Sequence, residues 1–364
     1  MPHKTNIEWA DYSSNALRAR DANGKVGWSC AMTSPGCAAC YSSALNGRFG
    51  TGLPYNDASV KAVEHFIDEK ELKHILTFRP KGPFKNGQSR PKVFPFDMTD
   101  LFGEWVPFET IDRMFAAFAL RPDVDFMVLT KRAERMAEYL NDLWPDIMAS
   151  DPKRVVSQEV KAAIREWPLP NVWLGVSCED QKRADERIPH LLRCPAAVRF
   201  LSVEPMLGPV DLKGHFVACP HCLSGMKDIT GDGGYDFFGM YEGGTCDRCD
   251  GEGCAIHQVI VGGESGPGAR PLHPDWARSI RDQCQAAGVS FFFKQWGAWV
   301  PSAAKPIRGN HTGGGIFLKR DGCYGDQGAW WDGNAEALDK VGKKQAGRLL
   351  DGREWNEMPE VSNA

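Results

Sequence analysis

The stretch NVWLGVSCEDQKRADERIPHLLRCPAAVRFLSVEP, residues 171–205, decides the fold of this chain. It begins with an apolar run at 171–177, continues with a helical pattern at 179–193, and ends with a second apolar run at 198–203. Short continuous apolar runs are typical of strands that are buried on both faces of a sheet. A strand, a helix and a second strand in this order predict a parallel β-α-β unit with a right-handed crossover.

The same rhythm extends over most of the chain. Further strands are predicted at 25–29, 92–96, 125–130, 257–262 and 289–294, and further helices at 107–120, 131–141 and 274–287. Six or seven such units favour a full or partial parallel (β/α) barrel, similar to a TIM barrel, over an open three-layer sheet. We expect residues 1–212 and 257–300 to form this α/β barrel.

Two segments interrupt the rhythm. Residues 213–256 are rich in Gly and Cys, and we expect them to form an inserted, Cys-rich zinc module. Residues 301–364 are rich in Gly, Trp and charge but show weak periodicity. We expect this second segment to be a C-terminal extension that packs on the barrel.

Composition excludes some classes of protein. The 364 residues are 42% hydrophobic and 25% charged, which are globular proportions. The chain has no apolar run of about 18 residues and no N-terminal signal pattern, so we expect no membrane span and a cytoplasmic location, in a bacterium or in the host cell of a phage. A net charge of −4 gives no field that would draw nucleic acid to the whole surface. Residues 79–92 carry five basic residues and no acid, which suits either a solvated loop or a contact with phosphate.

Polar side chains follow most of the predicted strands. Functional groups collect at the carboxyl ends of the strands in parallel barrels, so these residues are candidates for a site. The candidate catalytic residues are Asp97, Asp100, Lys131, Glu204, Glu264 and Lys294, and the candidate cofactor-binding residues are Tyr41, Thr99, Ser177, Gly262 and Gly263. Helix N-caps explain some of the Ser and Thr residues equally well, and the glycine-rich run at 262–268 suits a plain turn as well as a phosphate cradle.

Three cysteines, Cys30, Cys37 and Cys40, have the spacing C-x6-C-x2-C. Thiolates are soft ligands that suit iron–sulfur clusters and zinc. A structural zinc site usually needs four ligands, whereas three cysteines suit a [4Fe–4S] cluster with one open iron. A zinc site completed by a distant residue and plain buried cysteines are the alternatives.

Four further cysteines form two CxxC pairs, Cys219 with Cys222 and Cys246 with Cys249. Two such pairs supply the four thiolates that Zn²⁺ prefers. We therefore predict a structural zinc ion that holds the inserted module together. A second iron–sulfur cluster or no metal at all are the alternatives.

Several stretches resemble a phage and prophage family of unknown function, sometimes called the three-Cys-motif family, which is distantly similar to radical S-adenosylmethionine (SAM) enzymes. The stretches that carry the resemblance are residues 6–9 (NIEW), 34–41 (SPGCAACY), 97–102 (DMTDLF), 129–132 (LTKR), 200–205 (FLSVEP), 261–296 and 350–355 (LDGREW). The resemblance implies that the three cysteines bind three irons of a [4Fe–4S] cluster and that the fourth iron binds SAM. It also implies a separately encoded partner protein.

Two functions follow as expectations. The first is a radical SAM-like enzyme that cleaves SAM and modifies an unidentified substrate, which in a phage suggests a nucleic acid or a nucleotide. The second is a non-catalytic iron–sulfur and zinc protein that binds nucleic acid or a partner protein. Cleavage of SAM would separate the two.

Overall fold

An eight-stranded, mostly parallel sheet forms the centre of the fold. The computed structural model describes residues 2–143, 168–216, 256–266, 268–302, 315–325, 330 and 333–359. Its strands are β1 (His3–Lys4), β2 (Tyr12–Ser13), β3 (Leu17–Arg20), β4 (Val26–Gly27), β5 (Glu64–Ile67), β6 (Lys92–Phe94), β7 (Asp125–Thr130), β8 (Val172–Ser177), β9 (Val198–Val203), β10 (Gln258–Gly262), β11 (Ser290–Gln295), β12 (Trp299–Pro301), β13 (Ile316–Lys319), β14 (Tyr324–Gly325) and β15 (Ala335–Lys340).

The helices lie mainly between the strands of the parallel sheet. They are α1 (Tyr41–Phe49), α2 (Asp57–Lys61), α3 (Glu69–Thr77), α4 (Phe108–Ala119), α5 (Ala133–Glu138), α6 (Gln181–Arg193), α7 (Pro274–Ala287) and α8 (Lys343–Ala346). Short 3-10 turns occupy Pro35–Cys37, Lys85–Gly87 and Lys213–His215, and a π-helical turn, Tyr139–Leu143, follows α5. No helix of the described ranges is both long and apolar enough to cross a bilayer.

Local sequence explains where two of the long helices begin and end. The carboxylate of Asp180 accepts a hydrogen bond from the backbone N–H of Arg183 and so caps the N-terminus of α6. Pro274 occupies the first turn of α7, and Gly288 ends it with a left-handed φ of 68°. Both helices lie within the ranges that the sequence predicts.

The parallel sheet has the order β1-β2-β6-β7-β8-β9-β10-β11, and only the β1–β2 pair is antiparallel. Its six long strands, β6 to β11, match six of the seven predicted strands. A strand, β4, does lie within residues 25–29, but its predicted place in the parallel sheet is wrong, because β4 pairs with β3 in a separate antiparallel sheet. Tyr12 of β2 instead pairs with Val93 of β6, so β2 takes the place expected for residues 25–29.

The sheet curls into a half-barrel, and a closed TIM-like barrel is not formed by the described strands. Its two edge strands, β1 and β11, do not pair with each other. The backbone N–H of Phe293 in β11 donates to the carbonyl of Trp355 at 3.0 Å, and Glu357 donates to Phe291 at 3.2 Å. The outer edge of β11 is therefore covered by a C-terminal segment, and this contact occupies the groups that barrel closure would need.

Two apolar cores lie on the two faces of the sheet. The larger core packs the helices against the outer face, and the smaller core fills the inside of the half-barrel with Trp9, Phe94, Met127, Trp173, Val198, Phe200, Ile260 and Phe292. Gly175 is required in this inner core, because a Cβ there would lie 2.3 Å from the ring of Phe200. A cavity opens beside this core, near the carboxyl ends of the strands.

The structure describes much of the predicted C-terminal extension, 301–364, but little of the predicted zinc module, 213–256. β12, β15, β13 and β14, in that order, form a second, antiparallel sheet. Of the predicted zinc module, 213–256, only residues 213–216 and 256 are described, and Cys219, Cys222, Cys246 and Cys249 lie outside the described residues.

Candidate metal and substrate site

A cavity of about 670 Å³ opens at the carboxyl ends of the parallel strands. Its walls come from the strand ends, from the loop that carries the three cysteines, from residues 4–9 and from Lys343 of α8. The predicted site residues that line it are Cys30, Cys37, Cys40, Tyr41, Asp97, Thr99, Asp100, Lys131, Ser177, Glu204, Gly263, Glu264 and Lys294. The remaining candidate in the described chain, Gly262, is not in the lining; a Cβ there would lie 3.1 Å from the side chain of Glu204.

Residues 29–40, which we call the cysteine loop, join β4 to α1 across the mouth of this cavity. Cys37 ends a 3-10 turn, and Cys40 is the N-cap residue of α1. All three of its cysteines are free thiols that are partly exposed. The loop thus presents three thiols to the same cavity, although the first and the last of them are ten residues apart in sequence.

The first half of the cysteine loop is fixed by side chains from two strand ends. The hydroxyl of Thr99 donates to the carbonyl of Ser29 at 2.7 Å, and the guanidinium of Arg132 donates to the carbonyl of Ala31 at 3.1 Å. Both donors reach backbone atoms beside Cys30. The position of that thiol is therefore set by the sheet.

The second half of the cysteine loop is fixed in the same way. Arg270 donates to the carbonyl of Pro35 at 3.0 Å, and the carboxylate of Glu179 accepts from the backbone N–H of Gly36 at 3.3 Å. A Cβ on Gly36 would lie 3.0 Å from that carboxylate, so the glycine allows the close approach. Side chains from three strand ends, together with Arg270 from the loop after β10, therefore hold the cysteine loop over the cavity.

Asp100 is the carboxylate that supports Arg132. It accepts hydrogen bonds from the hydroxyl of Thr130 at 2.7 Å, from the backbone N–H of Lys131 at 3.0 Å and from Arg132 at 3.1 Å. Burial acts to lower the pKa of Arg132, but the charges of Asp100 and Cys30 and the hydrogen bond with Glu104 together outweigh burial and raise that pKa above its ordinary value. Both carboxylate oxygens of Asp100 thus accept hydrogen bonds, and Asp100 acts on the cysteine loop through Arg132.

Two other carboxylates at the strand ends are paired with cations. Glu264 accepts from the guanidinium of Arg270 at 2.6 and 2.8 Å and from its backbone N–H at 2.8 Å. Glu204 accepts from the ammonium of Lys294 at 2.8 and 2.9 Å. The first pair fixes the loop through Arg270, whereas the second lies in the cavity wall.

Asp97 differs from the other carboxylates of the cavity, because no Lys or Arg in the described part of the chain forms an ion pair with it. Its side chain accepts a hydrogen bond from Asn15, and burial raises its pKa. Its backbone carbonyl accepts from the hydroxyls of Tyr41 at 3.0 Å and Ser42 at 2.7 Å. Asp97 therefore fixes the start of α1 and also offers the cavity a carboxyl group of raised pKa.

The thiols sit in unequal electrostatic surroundings. Burial raises the pKa of Cys30 to about 12, and the negative charge of Asp100 adds to the effect. Burial also acts against ionisation of Cys37, but the charge of Lys131 and hydrogen bonds at Thr33 and Ser34 outweigh it and lower that pKa. Charges on Cys37 and Cys40 contribute to the raised pKa of Cys30, which indicates that the three thiols face a common space.

The three thiols are soft donors of the kind that an iron–sulfur cluster takes. Within the described ranges, no three His, Cys, Asp or Glu side chains are gathered closely enough to hold one metal ion. Cysteines that bind an iron–sulfur cluster attach to different irons and need not converge on one point. Three soft donors around a common space at the cavity wall therefore fit an iron–sulfur cluster.

Some residues of the site were missed by the sequence reasoning. Glu179 and Arg270 hold the cysteine loop but are not among the predicted site residues. The position of Glu179 just after β8 was the available signal for that residue. Lys4 and Trp9 near the N-terminus and Lys343 in α8 also line the cavity. No local pattern marks these three, because only the folded chain brings the N-terminal segment and α8 to the strand ends.

The fold and the site together define a parallel half-barrel whose cavity carries a three-thiol loop. The chain belongs to a family described as "Protein of unknown function (DUF5131)", whose model matches residues 4–359. No curated protein and no solved structure matches the chain.

Proposed function

We propose that Cys30, Cys37 and Cys40 hold a [4Fe–4S] cluster and that the protein is a radical SAM-like enzyme. The observation that supports this proposal is the placement of three thiols on one wall of a cavity whose other walls carry acids, bases and hydroxyls. The cavity volume of about 670 Å³ lies within the range of about 300–1,000 Å³ that is usual for small-molecule sites.

When bound, the cluster would supply an open iron for the amino and carboxylate groups of SAM, and the electron for its reductive cleavage. The chain itself positions the reactants. Arg132 and Arg270 act as positioning residues, because they fix the loop backbone through Ala31 and Pro35. The apolar inner core beneath the cavity excludes water from its floor.

The remaining polar groups of the cavity suit recognition and proton transfer. Lys294 and Glu204 form a hydrogen-bonded pair that can donate or accept a proton at the ammonium and carboxylate atoms. Asp97 can accept a hydrogen bond from a ligand hydroxyl or amine, because its second oxygen has no cation beside it in the described residues. Ser177 and Thr99 add hydroxyls to the same wall.

The proposal is tested first by reconstituting the protein with iron and sulfide without oxygen. We expect about four irons per chain and a broad visible absorption band. Cys37→Ser should lose both, whereas Cys323→Ser, which changes an exposed cysteine away from the cavity lining, should keep them. Zinc in place of iron at the three thiols, completed by a fourth protein ligand, would contradict the cluster.

Turnover is tested next with the reconstituted protein, dithionite and SAM. We expect release of 5'-deoxyadenosine by the wild type and by Cys323→Ser, and none by Cys37→Ser. A stable cluster that never cleaves SAM would instead support the non-catalytic iron–sulfur protein.

A further inference from the structure

Three carboxylates fix the cysteine loop, directly or through a cation, and each has an arginine of its own. The ion pairs are Asp100 with Arg132, Glu264 with Arg270 and Glu179 with Arg187, at 3.1, 2.6 and 2.9 Å. Arg132 has a second carboxylate partner, Glu104, whose side chain is 68% exposed and is therefore largely screened by water. These arginines bring no surplus positive charge to the loop that carries the three thiols.

Lys131, the first residue after β7, adds a cation that these pairs do not use. Its ammonium lies 3.9 Å from the carboxylate of Glu179, which the guanidinium of Arg187 already neutralises. Within the described ranges the ammonium has no closer acidic partner, and the side chain of Lys131 is only 21% exposed. Lys131 therefore contributes one positive charge that is neither cancelled by a carboxylate nor fully solvated.

The ammonium of Lys131 stands beside the part of the loop that holds Cys37. The carboxylate of Glu179 accepts from the backbone N–H of Gly36, the residue before Cys37, so a single carboxylate separates the ammonium from the loop. Lys131 and Cys37 also line the same cavity. Burial opposes ionisation of Cys37, and the charge of Lys131 is the largest influence that lowers the pKa of this thiol. Contacts and charge therefore agree in placing the surplus cation at Cys37.

A cation near a redox centre changes how readily that centre takes up an electron. Reduction adds one negative charge, so a nearby positive charge stabilises the reduced form more than the oxidised form. Water weakens this interaction less for Lys131 than for an exposed lysine, because most of its side chain is shielded. At an effective dielectric constant of about 20, a unit charge about 10 Å away changes the equilibrium constant of reduction on the order of tenfold.

We propose that Lys131 sets the reduction potential of the cluster and that its charge raises this potential. This inference rests on the proposed function, because it assumes a cluster at Cys30, Cys37 and Cys40. In the step concerned, a one-electron reductant loses one electron, the cluster gains that electron, and no bond forms or breaks. Lys131 acts on this step through space, as a fixed charge, and neither binds iron nor transfers a proton.

The test is a redox titration of the reconstituted protein without SAM, followed by the electron paramagnetic resonance signal of the reduced cluster. Lys131→Met and Lys131→Gln remove the charge with two different side-chain shapes. Both should lower the midpoint potential by about 59 mV, which is a tenfold change in the equilibrium constant for one electron. Lys131→Arg keeps the charge and should keep the wild-type potential. The control, Lys182→Met, removes a lysine whose side chain is 69% exposed and should leave the potential unchanged.

The iron content separates an effect of charge from damage to the site. All variants should bind as much iron as the wild type, because Lys131 is not a ligand. An unchanged midpoint in both neutral variants, an equal shift in Lys131→Arg, or loss of iron from the neutral variants would overturn the assignment.

The outcome for Lys131 is distinguishable from the outcome for the proposed function. Because SAM is absent from the titration, a contact between Lys131 and SAM cannot produce the shift. A wild type without a reducible cluster would overturn the proposed function itself, whereas a wild-type cluster whose potential ignores Lys131 would overturn this inference alone.

Discussion

Arg132 is a buried side chain that helps to fix the position of the cysteine loop. It has only 4% of its side chain exposed, and it contacts Asp100, Glu104 and the carbonyl of Ala31. Its guanidinium also lies 4.5 Å from the centre of the Trp105 ring. A buried cation is stable only where such partners replace its hydration, so each partner left behind would be unsatisfied if Arg132 were removed.

We expect Arg132→Met to lower the free energy of unfolding by about 3–5 kcal/mol, because it leaves the carboxylate of Asp100 buried without its cation. Urea denaturation measures this change. Arg113→Met is the control, since its ion pair with Glu69 is exposed and should contribute less than about 1 kcal/mol. If both variants lost the same free energy of unfolding, the ion pair of Arg132 with Asp100 would contribute no more than an exposed ion pair.

At the scale of elements, the C-terminal segment covers the outer edge of the parallel sheet, which is strand β11. An uncovered edge strand presents unpaired backbone groups that can pair with another chain. Here the side chain of Glu357 accepts from the backbone N–H of Phe291 at 2.9 Å, and the ring of Trp355 contacts the Phe291 ring edge-on at 5.7 Å. The C-terminal segment therefore protects β11 by backbone pairing and by packing.

We expect a chain that ends at Arg353 to unfold at a lower temperature and to aggregate more readily at high concentration, because β11 is then uncovered. Thermal unfolding and light scattering measure the two effects. A chain that ends at Pro359 keeps the covering segment and is the matched control. If both truncated chains behave alike, the segment does not protect the edge.

At the scale of the whole molecule, His257 links the global stability to pH. It lies just before β10, accepts a hydrogen bond from the backbone N–H of Arg199 at 3.0 Å, and donates its own backbone N–H to Arg199. Burial lowers its pKa to about 4, and the charge of Arg199 acts in the same direction. Protonation would remove the acceptor and place a second cation beside Arg199.

The sign of the pH effect follows from this lowered pKa. Above about pH 6.5, the ordinary pKa of histidine, the side chain is neutral in both states and its contribution to stability is complete. As the pH falls from about 6.5 to 4, the unfolded chain binds a proton that the folded chain does not, so stability falls by on the order of 3 kcal/mol.

We therefore expect His257→Asn, which keeps a hydrogen-bond acceptor, to lose less stability than the wild type between pH 6.5 and 4. Urea denaturation at several pH values measures the difference between the two curves. His3→Asn changes an exposed histidine and should follow the wild type. Parallel curves for His257→Asn and the wild type would show that the buried imidazole does not control this dependence.

The sequence by itself determined the features that depend on near neighbours. Apolar runs and helical periodicity located the strands β6 to β11 and the helices between them, because burial on both faces leaves a local pattern. The same rule placed Asp97, Glu204 and Lys294 at one rim, since the carboxyl ends of parallel strands share an edge. The spacing of Cys30, Cys37 and Cys40 is likewise read directly from the sequence.

Only the tertiary structure decided which segments meet across long separations. The choice of Tyr12 over Val26 as the neighbour of β6, and the covering of β11 by residues 355–357, depend on competition between segments for the same backbone groups. The clamp on the cysteine loop likewise joins residues more than 100 positions apart, such as Gly36 and Glu179. Such pairings leave no local pattern, because each partner is selected by its fit in the folded chain and not by its neighbours in sequence.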